Sequence, residues 1–411
     1  MILQNRVLKS GQLFFLSLLV ILITLGFLNS PGTNDMDIWK RWAINADTYG
    51  PAAGFGVNNS DYPPFTSVIL AGSALASRFF GIDIFYAIKS SILFFLILTT
   101  LSFWLWTKDV TAALILHLSL LLNSMALGYI DVFFGPSLIL SLWALKQRKY
   151  TLFSLAFLLS ILTKWQPILI APFIIIYILN LKQLADFKQI DFKKIFWSML
   201  FPSIVFLSAT FIIFGLPEVL QAFQASLSHN YLSGNALNFN WLVTHFLHVF
   251  FPEQFGGLVK GQANIILTTS LKITLIPRLL FFLTYIISLF GFFKREKTFE
   301  NLTIFSMLGY LSYFMFNTGV HENHLFIATI LAVILFWINR EHFSTMLTLL
   351  LISNINLFIF YGTDGAGLMF SRVIGKTVDM ALLFSIFNLV FFLLYWGTNL
   401  MQIKSEVSES C

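Results

Sequence analysis

The sequence predicts an all-α integral membrane protein of about 12 transmembrane helices, and three observations carry that expectation. Apolar residues make up 57% of the 411 positions and charged residues only 11%, against roughly 25% charged in soluble domains. The mean hydropathy is +0.82. Apolar runs recur along the whole chain, which predicts a single polytopic membrane domain over residues 1–411 with no soluble domain.

A spanning helix takes about 20 mostly apolar residues. Runs that qualify or nearly qualify lie at approximately 11–28, 84–106, 110–127, 134–146, 150–163, 167–181, 195–214, 267–293, 300–317, 324–339, 343–361 and 381–400. Arg6 and Lys9 precede the first run, which is long and has no small-x-small cleavage site after it. A retained helix is therefore expected there, not a signal peptide. Several runs between 134 and 181 are short and are separated by Lys146-Gln147-Arg148-Lys149 and Lys164-Trp165-Gln166-Pro167. Short spans imply tilt, or ends that reach a water-filled cavity. The stretch 65–80 follows Pro63-Pro64, contains Arg78 and is too short to span, so it reads as a helix in the outer interface.

Charge sets the orientation. With both termini in the cytoplasm, the inside receives 15 of the 25 basic residues, including Lys108, Lys146, Arg148, Lys149, Lys182, Lys188, Lys294, Lys297 and Arg340. The inside acids number eight, Asp186 among them, whereas the outside or membrane side keeps 10 basic residues and 11 acids. That is the positive-inside pattern, and it explains the net charge of +6 without nucleic acid. The long outside segments are 29–83, 215–266 and 362–380. The expected location is a plasma (inner) membrane, or the endoplasmic reticulum in a eukaryote. The single cysteine, Cys411, excludes an intramolecular disulfide and lies outside a prenylation box.

The first outside loop carries Asn34-Asp35-Met36-Asp37-Ile38-Trp39-Lys40-Arg41-Trp42 and then Asp61-Tyr62-Pro63-Pro64-Phe65. From Asp37 onward it reads as a short amphipathic helix with Asp37, Lys40 and Arg41 on one face. Asp35 falls at or just before the helix start, exposed beside the positive end of the dipole. Acids at such a position also serve as caps, and Asp37 is placed to pair with Lys40 or Arg41.

An acid-x-acid-x-x-basic-basic-Trp element after the first helix, followed by Tyr-Pro-Pro, resembles the GT-C membrane glycosyltransferases. The likeness is greatest to the dolichyl-phosphate-glucose-dependent glucosyltransferases of N-glycan precursor assembly and their bacterial relatives. It implies a GT-C-like first extracytoplasmic loop with interfacial helices, Asp35 as the catalytic aspartate, Asp37 as the second acid and Lys40-Arg41-Trp42 as the basic pair and Trp. Further matches are Lys89 in the second span, Asp131 within Gly128-Tyr129-Ile130-Asp131-Val132-Phe133-Phe134, Lys164 with Gln166, and Val320-His321-Glu322-Asn323-His324. Asn323 stands where the family has Lys, and the element around Asp131 keeps only the Asp and aromatics. The resemblance spans about residues 10–340.

The implied reaction moves a hexose from a polyprenyl-phosphate donor to a hydroxyl on a glycan, lipid or protein acceptor, with inversion, outside the cytoplasm. It needs a base for the acceptor proton, a role that suits Asp35, and a cation for the leaving phosphate. Outside cations run against the positive-inside bias and so are candidates: Lys89, Lys164, Arg372 and Lys376, with His321 and His324. Arg372 and Lys376, four apart, would share a helical face; headgroup anchoring is their alternative role. Tyr62 and Glu322 complete the expected substrate-binding set. His321-Glu322-Asn323-His324 lacks a third His or Cys, so no metal is expected, and no cofactor either. The Asn- and aromatic-rich stretch 228–241 reads as an acceptor surface or as a packed interfacial loop. The rival reading is a transporter or flippase of a lipid-linked or amphipathic substrate, which would place ionisable groups mid-membrane.

Overall fold

The computed structural model describes residues 10–181, 191–268, 270–375 and 378–409. Arg6, Lys9, Lys182, Asp186, Lys188, Lys376 and Cys411 lie outside them. Each of the twelve apolar runs carries helix. After α1 (Ser10–Gly26) come α2 (Asp35–Tyr49), α3 (Pro51–Asn58) and α4 (Pro64–Phe80), which occupy the first long segment. Then follow α5 (Ile84–Thr107), α6 (Val110–Leu121), α7 (Gly135–Lys146), α8 (Tyr150–Ile161) and α9 (Ala171–Ile178). Next are α10 (Phe192–Ile195), α11 (Phe201–Phe214), α12 (Leu216–Leu227), β1 (Ser233–Gly234), α13 (Phe239–Phe250) and α14 (Pro252–Phe255). The chain continues with α15 (Leu271–Lys294), α16 (Phe299–Phe316), β2 (Val320–His321), α17 (Phe326–Ile338), α18 (Phe343–Tyr361), β3 (Val373–Ile374), β4 (Val378–Asp379) and α19 (Met380–Glu409).

Among the described residues, five helical stretches are long and apolar enough to cross a membrane: Ile84–Thr107, Phe192–Phe214, Leu271–Lys294, Arg340–Tyr361 and Met380–Met401. The shorter apolar helices include Val110–Ala126, Tyr150–Ile161, Gln166–Ile178 and Glu322–Ile338. Local chemistry fixes many of the boundaries. The Asp83 carboxylate accepts from the Phe85 amide, Asp109 from Ala112 and Thr298 from Asn301, each capping donors that the first turn leaves free. Proline opens α3 and α4, where no amide is needed. Left-handed Gly81 and Lys108 close α4 and α5.

The apolar interior forms one large cluster centred on α16 and α17, which are buried nearly all round. The basic turns gather at one end of the bundle. There Arg340 pairs with Asp109, His342 lies 2.8 Å from Glu300, and the Lys146 ammonium stands 4.3 Å over the Trp337 ring. The opposite end carries α2–α4 and the turns at 122–134, 162–170, 228–238 and 317–325.

Two short pairings tie the loops at that end. β1 runs parallel to β2, Ser233 opposite Val320 and Gly234 opposite His321. β3 and β4 form a small antiparallel pair, with Val373 opposite Asp379. This region was expected to be helical so that Arg372 and Lys376 shared a face. Arg372 instead leads into a strand, and Lys376 lies outside the described residues.

Candidate functional site

A cavity of about 340 Å³ opens at this end, between α2, the Asp61–Pro63 turn, the Lys164–Leu169 turn, α12 and the His321–His324 turn. α2 begins at Asp35, and its alternation of buried Met36, Trp39, Trp42 and Ala43 with exposed Asp37 and Arg41 seats one face on the core. That geometry separates the two acids. Asp35 lines the cavity, whereas Asp37 points to solvent with 83% of its side chain exposed, 3.1 Å from the Lys40 ammonium. Trp39, Trp42 and Tyr62 meet edge to face with ring centroids 5.1–5.7 Å apart and form an aromatic wall beside Asp35.

Asp35 was expected to be exposed at the helix start. It is instead half-buried, and no side chain among the described residues pairs with it or donates to it. Burial pushes its carboxyl up to about 6; the Lys164 charge opposes that shift, while Asp131 and Asp61 add to it. An unpaired carboxylate with a raised pKa facing a cavity has the properties of a general base near neutral pH.

Lys164 supplies the cavity's cation. Its ammonium lies 2.7 Å from the Asp131 carboxylate, donates to the Tyr62 hydroxyl and stands 3.9 Å from the centre of the Tyr62 ring. Asp131 is buried behind it and also accepts from the Asn323 amide at 2.8 Å. With side chains 8% and 2% exposed, this is a buried pair, and removal of either partner would strand the other. The turn itself is clamped to the first loop: Phe65 N–H donates to Leu162 O at 2.9 Å, Thr66 Oγ1 to Thr163 O at 2.6 Å and Trp165 Nε1 to Asp61 O at 3.0 Å.

The back wall is a chain of rings. Asp61 Oδ2 lies 3.2 Å from His229 Nε2, His229 Nδ1 3.0 Å from the Tyr231 hydroxyl, and that hydroxyl also bonds His321 Nε2. Burial raises Asp61, but the His229 hydrogen bond and the Lys164 charge outweigh it and hold the carboxyl below its ordinary value. Burial, helped by His229 and Lys164, drops His321 to about 3, so its imidazole is neutral. Burial lifts Glu322 to about 7 against a hydrogen bond donated by the Tyr129 hydroxyl. His324 lines the cavity, with Nδ1 3.0 Å from the Tyr313 hydroxyl.

Of the residues nominated from sequence, the cavity wall gathers Asp35, Tyr62, Lys164, Gln166, His321, Glu322 and His324, with Asp131 directly behind. Of the rest that are described, it gathers none. Asp37, Lys40 and Arg41 stand on the outer face of α2, and the Lys40 ammonium lies 5.5 Å over the Phe85 ring. Lys89 is fully buried in α5 and donates to Met125 O, so it is no phosphate clamp. Arg372 is held by Asp379 at 2.8 and 3.0 Å and donates to Ala263 O, with its guanidinium against Phe360 and Trp241. That bidentate neutralisation removes it as a donor clamp. His321 is corrected as a cation, since its ring is neutral and one nitrogen is taken by Tyr231.

The loop 228–241 divides in two. His229 lines the cavity. The asparagines beyond it are structural: Asn238 donates to Phe314 O at 2.8 Å and Asn240 to Asn317 O at 2.7 Å, closing the end of α16 from buried positions. Asp61, Tyr129 and His229 were not nominated from sequence. Asp61 adjoined the quoted Tyr-Pro-Pro element and His229 lay within the polar stretch, so only their partners were hidden. Among the described residues no group of three or more His, Cys, Asp or Glu side chains is arranged to hold a metal. No protein-family model matches the chain, and no curated protein sequence matches it.

Proposed function

We propose that this protein is a GT-C-like membrane hexosyltransferase of about 12 spans. It moves a hexose from a polyprenyl-phosphate donor to an acceptor hydroxyl at the extracytoplasmic face, with inversion. The observation that carries the reading is Asp35: an unpaired carboxylate, raised by burial, in a cavity that also holds the Lys164 ammonium and an aromatic wall. The acceptor hydroxyl gives its proton to Asp35 as its oxygen bonds the anomeric carbon. The bond from that carbon to the phosphate oxygen breaks, and polyprenyl phosphate leaves without needing a proton. The Lys164 ammonium has three N–H donors; it pairs with Asp131 and donates to Tyr62, and a remaining N–H stabilises the charge growing on the phosphate. Ile168 and Leu227, 43% and 69% exposed, form an apolar lip suited to an isoprenoid chain.

The test is transfer by the purified protein across a panel of synthetic polyprenyl-phosphate sugars and acceptors. The expected result is product from at least one donor and its loss in Asp35→Asn. Full transfer by Asp35→Asn overturns the role of the base. Movement of labelled donor across vesicles without transfer turns the assignment to a flippase.

A further inference from the structure

We infer that three glycines from three separate outer turns, Gly32, Gly128 and Gly365, form a junction that positions Asp35. The inference rests on the reading of Asp35 above, and the three residues are positioning residues that do not line the cavity. Gly32 stands three residues before Asp35 and hands its N–H to Asp364 O at 3.0 Å, while Thr33 N–H bonds Leu127 O at 2.9 Å. The start of α2 is thus hung between the turn at 127–128 and the third outer segment. All three glycines have positive φ, at 77°, 75° and 96°, a region that disfavours any side chain.

Space is equally restrictive. A Cβ on Gly128 would lie 2.5 Å from Met36 Sδ, one on Gly32 2.8 Å from both Met36 Cγ and Leu127 O, and one on Gly365 would collide with the Gly32 carbonyl. Met36, 2% exposed, is the residue after Asp35 and fills the gap between Gly32 and Gly128. A methyl on Gly365 meets the Gly32 backbone and one on Gly32 meets the Leu127 carbonyl, so either presses on the segment that leads into α2. The third outer segment, remote from the cavity in sequence, controls the base through its backbone.

Gly367 provides the control. Its φ is 97°, close to that of Gly365, yet a Cβ there meets nothing within 4 Å. Gly365→Ala and Gly367→Ala thus share the backbone strain and differ in the contact with Gly32. The readout is the pH dependence of labelling of Asp35 by dicyclohexylcarbodiimide, which attacks the protonated carboxyl, followed by peptide mass spectrometry on the full-length protein. The charged groups around Asp35 are Lys164, Asp131, Asp61 and Glu322, and neither substitution alters any of them.

Wild type and Gly367→Ala are expected to reach half-labelling near pH 6, whereas Gly365→Ala moves toward the ordinary value of 3.8, by about one pH unit or more. If Gly365→Ala does not fold, Met36→Ala, which empties the gap, is expected to give the same acid shift while Met36→Leu does not. Equal titration in Gly365→Ala and Gly367→Ala, or an unshifted Met36→Ala in the second arm, overturns the proposal. Where a transferable donor is known, Gly365→Ala also lowers kcat about tenfold or more with KM for the donor unchanged. Failure of every donor would remove the transferase reading and leave the labelling result standing.

Discussion

Two buried ion pairs sit at the same end of the molecule and do different work. Lys164–Asp131 opens onto the cavity beside Asp35, whereas Arg372–Asp379 closes the β3–β4 turn against Trp241 and Phe360. Both cations satisfy the same sequence criterion, since the charge pattern assigns each to the outer side against the positive-inside bias. They differ in where the charge stands. Arg372 bonds Asp379 twice and Ala263 O once and is not part of the cavity wall, while Lys164 lines the cavity beside Asp35. The charge pattern of the sequence selects candidate cations, and a place on the cavity wall identifies the one that can meet a phosphate.

The sharpest way to break this contrast is Asp35→Asn. Transfer is expected to fall about 10²–10⁴-fold, the usual worth of a positioned base. Stability should move the other way. Because the folded pKa of Asp35 is raised from 3.8 to about 6, its favourable contribution is complete below 3.8 and is lost as pH rises through about 6. At neutral pH the uncharged amide removes that penalty, so a melting curve of Asp35→Asn should lie above wild type, and a lowered melting temperature contradicts the assignment.

Next in size are Lys164→Met and Arg372→Met. Each strands a buried carboxylate and is expected to lose about 3–5 kcal/mol, read as a lowered melting temperature in detergent. Only Lys164→Met should also abolish transfer in the fraction that stays folded. Equal activity in the two variants would erase the distinction between the pairs.

The pH profile is a smaller effect. The rate under kcat/KM conditions should fall as pH drops through about 6, where Asp35 takes up its proton, approaching about tenfold per pH unit below that point. A flat profile there would show that another group accepts the proton. Smallest of all, Asp37→Ala removes an exposed pair with Lys40, worth about 0.2–1 kcal/mol. It should leave transfer within about twofold, and a larger loss would return Asp37 to the site.

Much of this organisation was legible in the sequence because it rests on local patterns. The apolar runs and their basic turns depend on neighbours only, and helices form at each of them. The division between Asp35 and Asp37 follows from helical spacing once Trp39 and Trp42 are set inward. What the sequence did not disclose depends on remote partners. Asp61 acquires its role from His229, 168 positions away in the chain, through a loop that remote pairings such as β1–β2 bring near. Arg372 and Asp379 lie seven apart, a spacing that reads as two helical turns but is bridged here across a strand pair. Lys89 looked like an outside cation because the run's polarity says nothing of which carbonyl its side chain meets.

The parallel contact between Ser233–Gly234 and Val320–His321 has a consequence for the order of events during synthesis. The strand at 233–234 leaves the ribosome long before its mate, with α15 and α16 still to be inserted between them. Until residue 321 has emerged, Tyr231 bonds only the first of its two imidazoles, that of His229, and the cavity lacks its rear wall. A chain arrested before that point would already hold Asp35, Lys164 and His229 but no enclosed chamber. The catalytic centre proposed here is therefore a late product of translation, sealed only when its two distant halves meet.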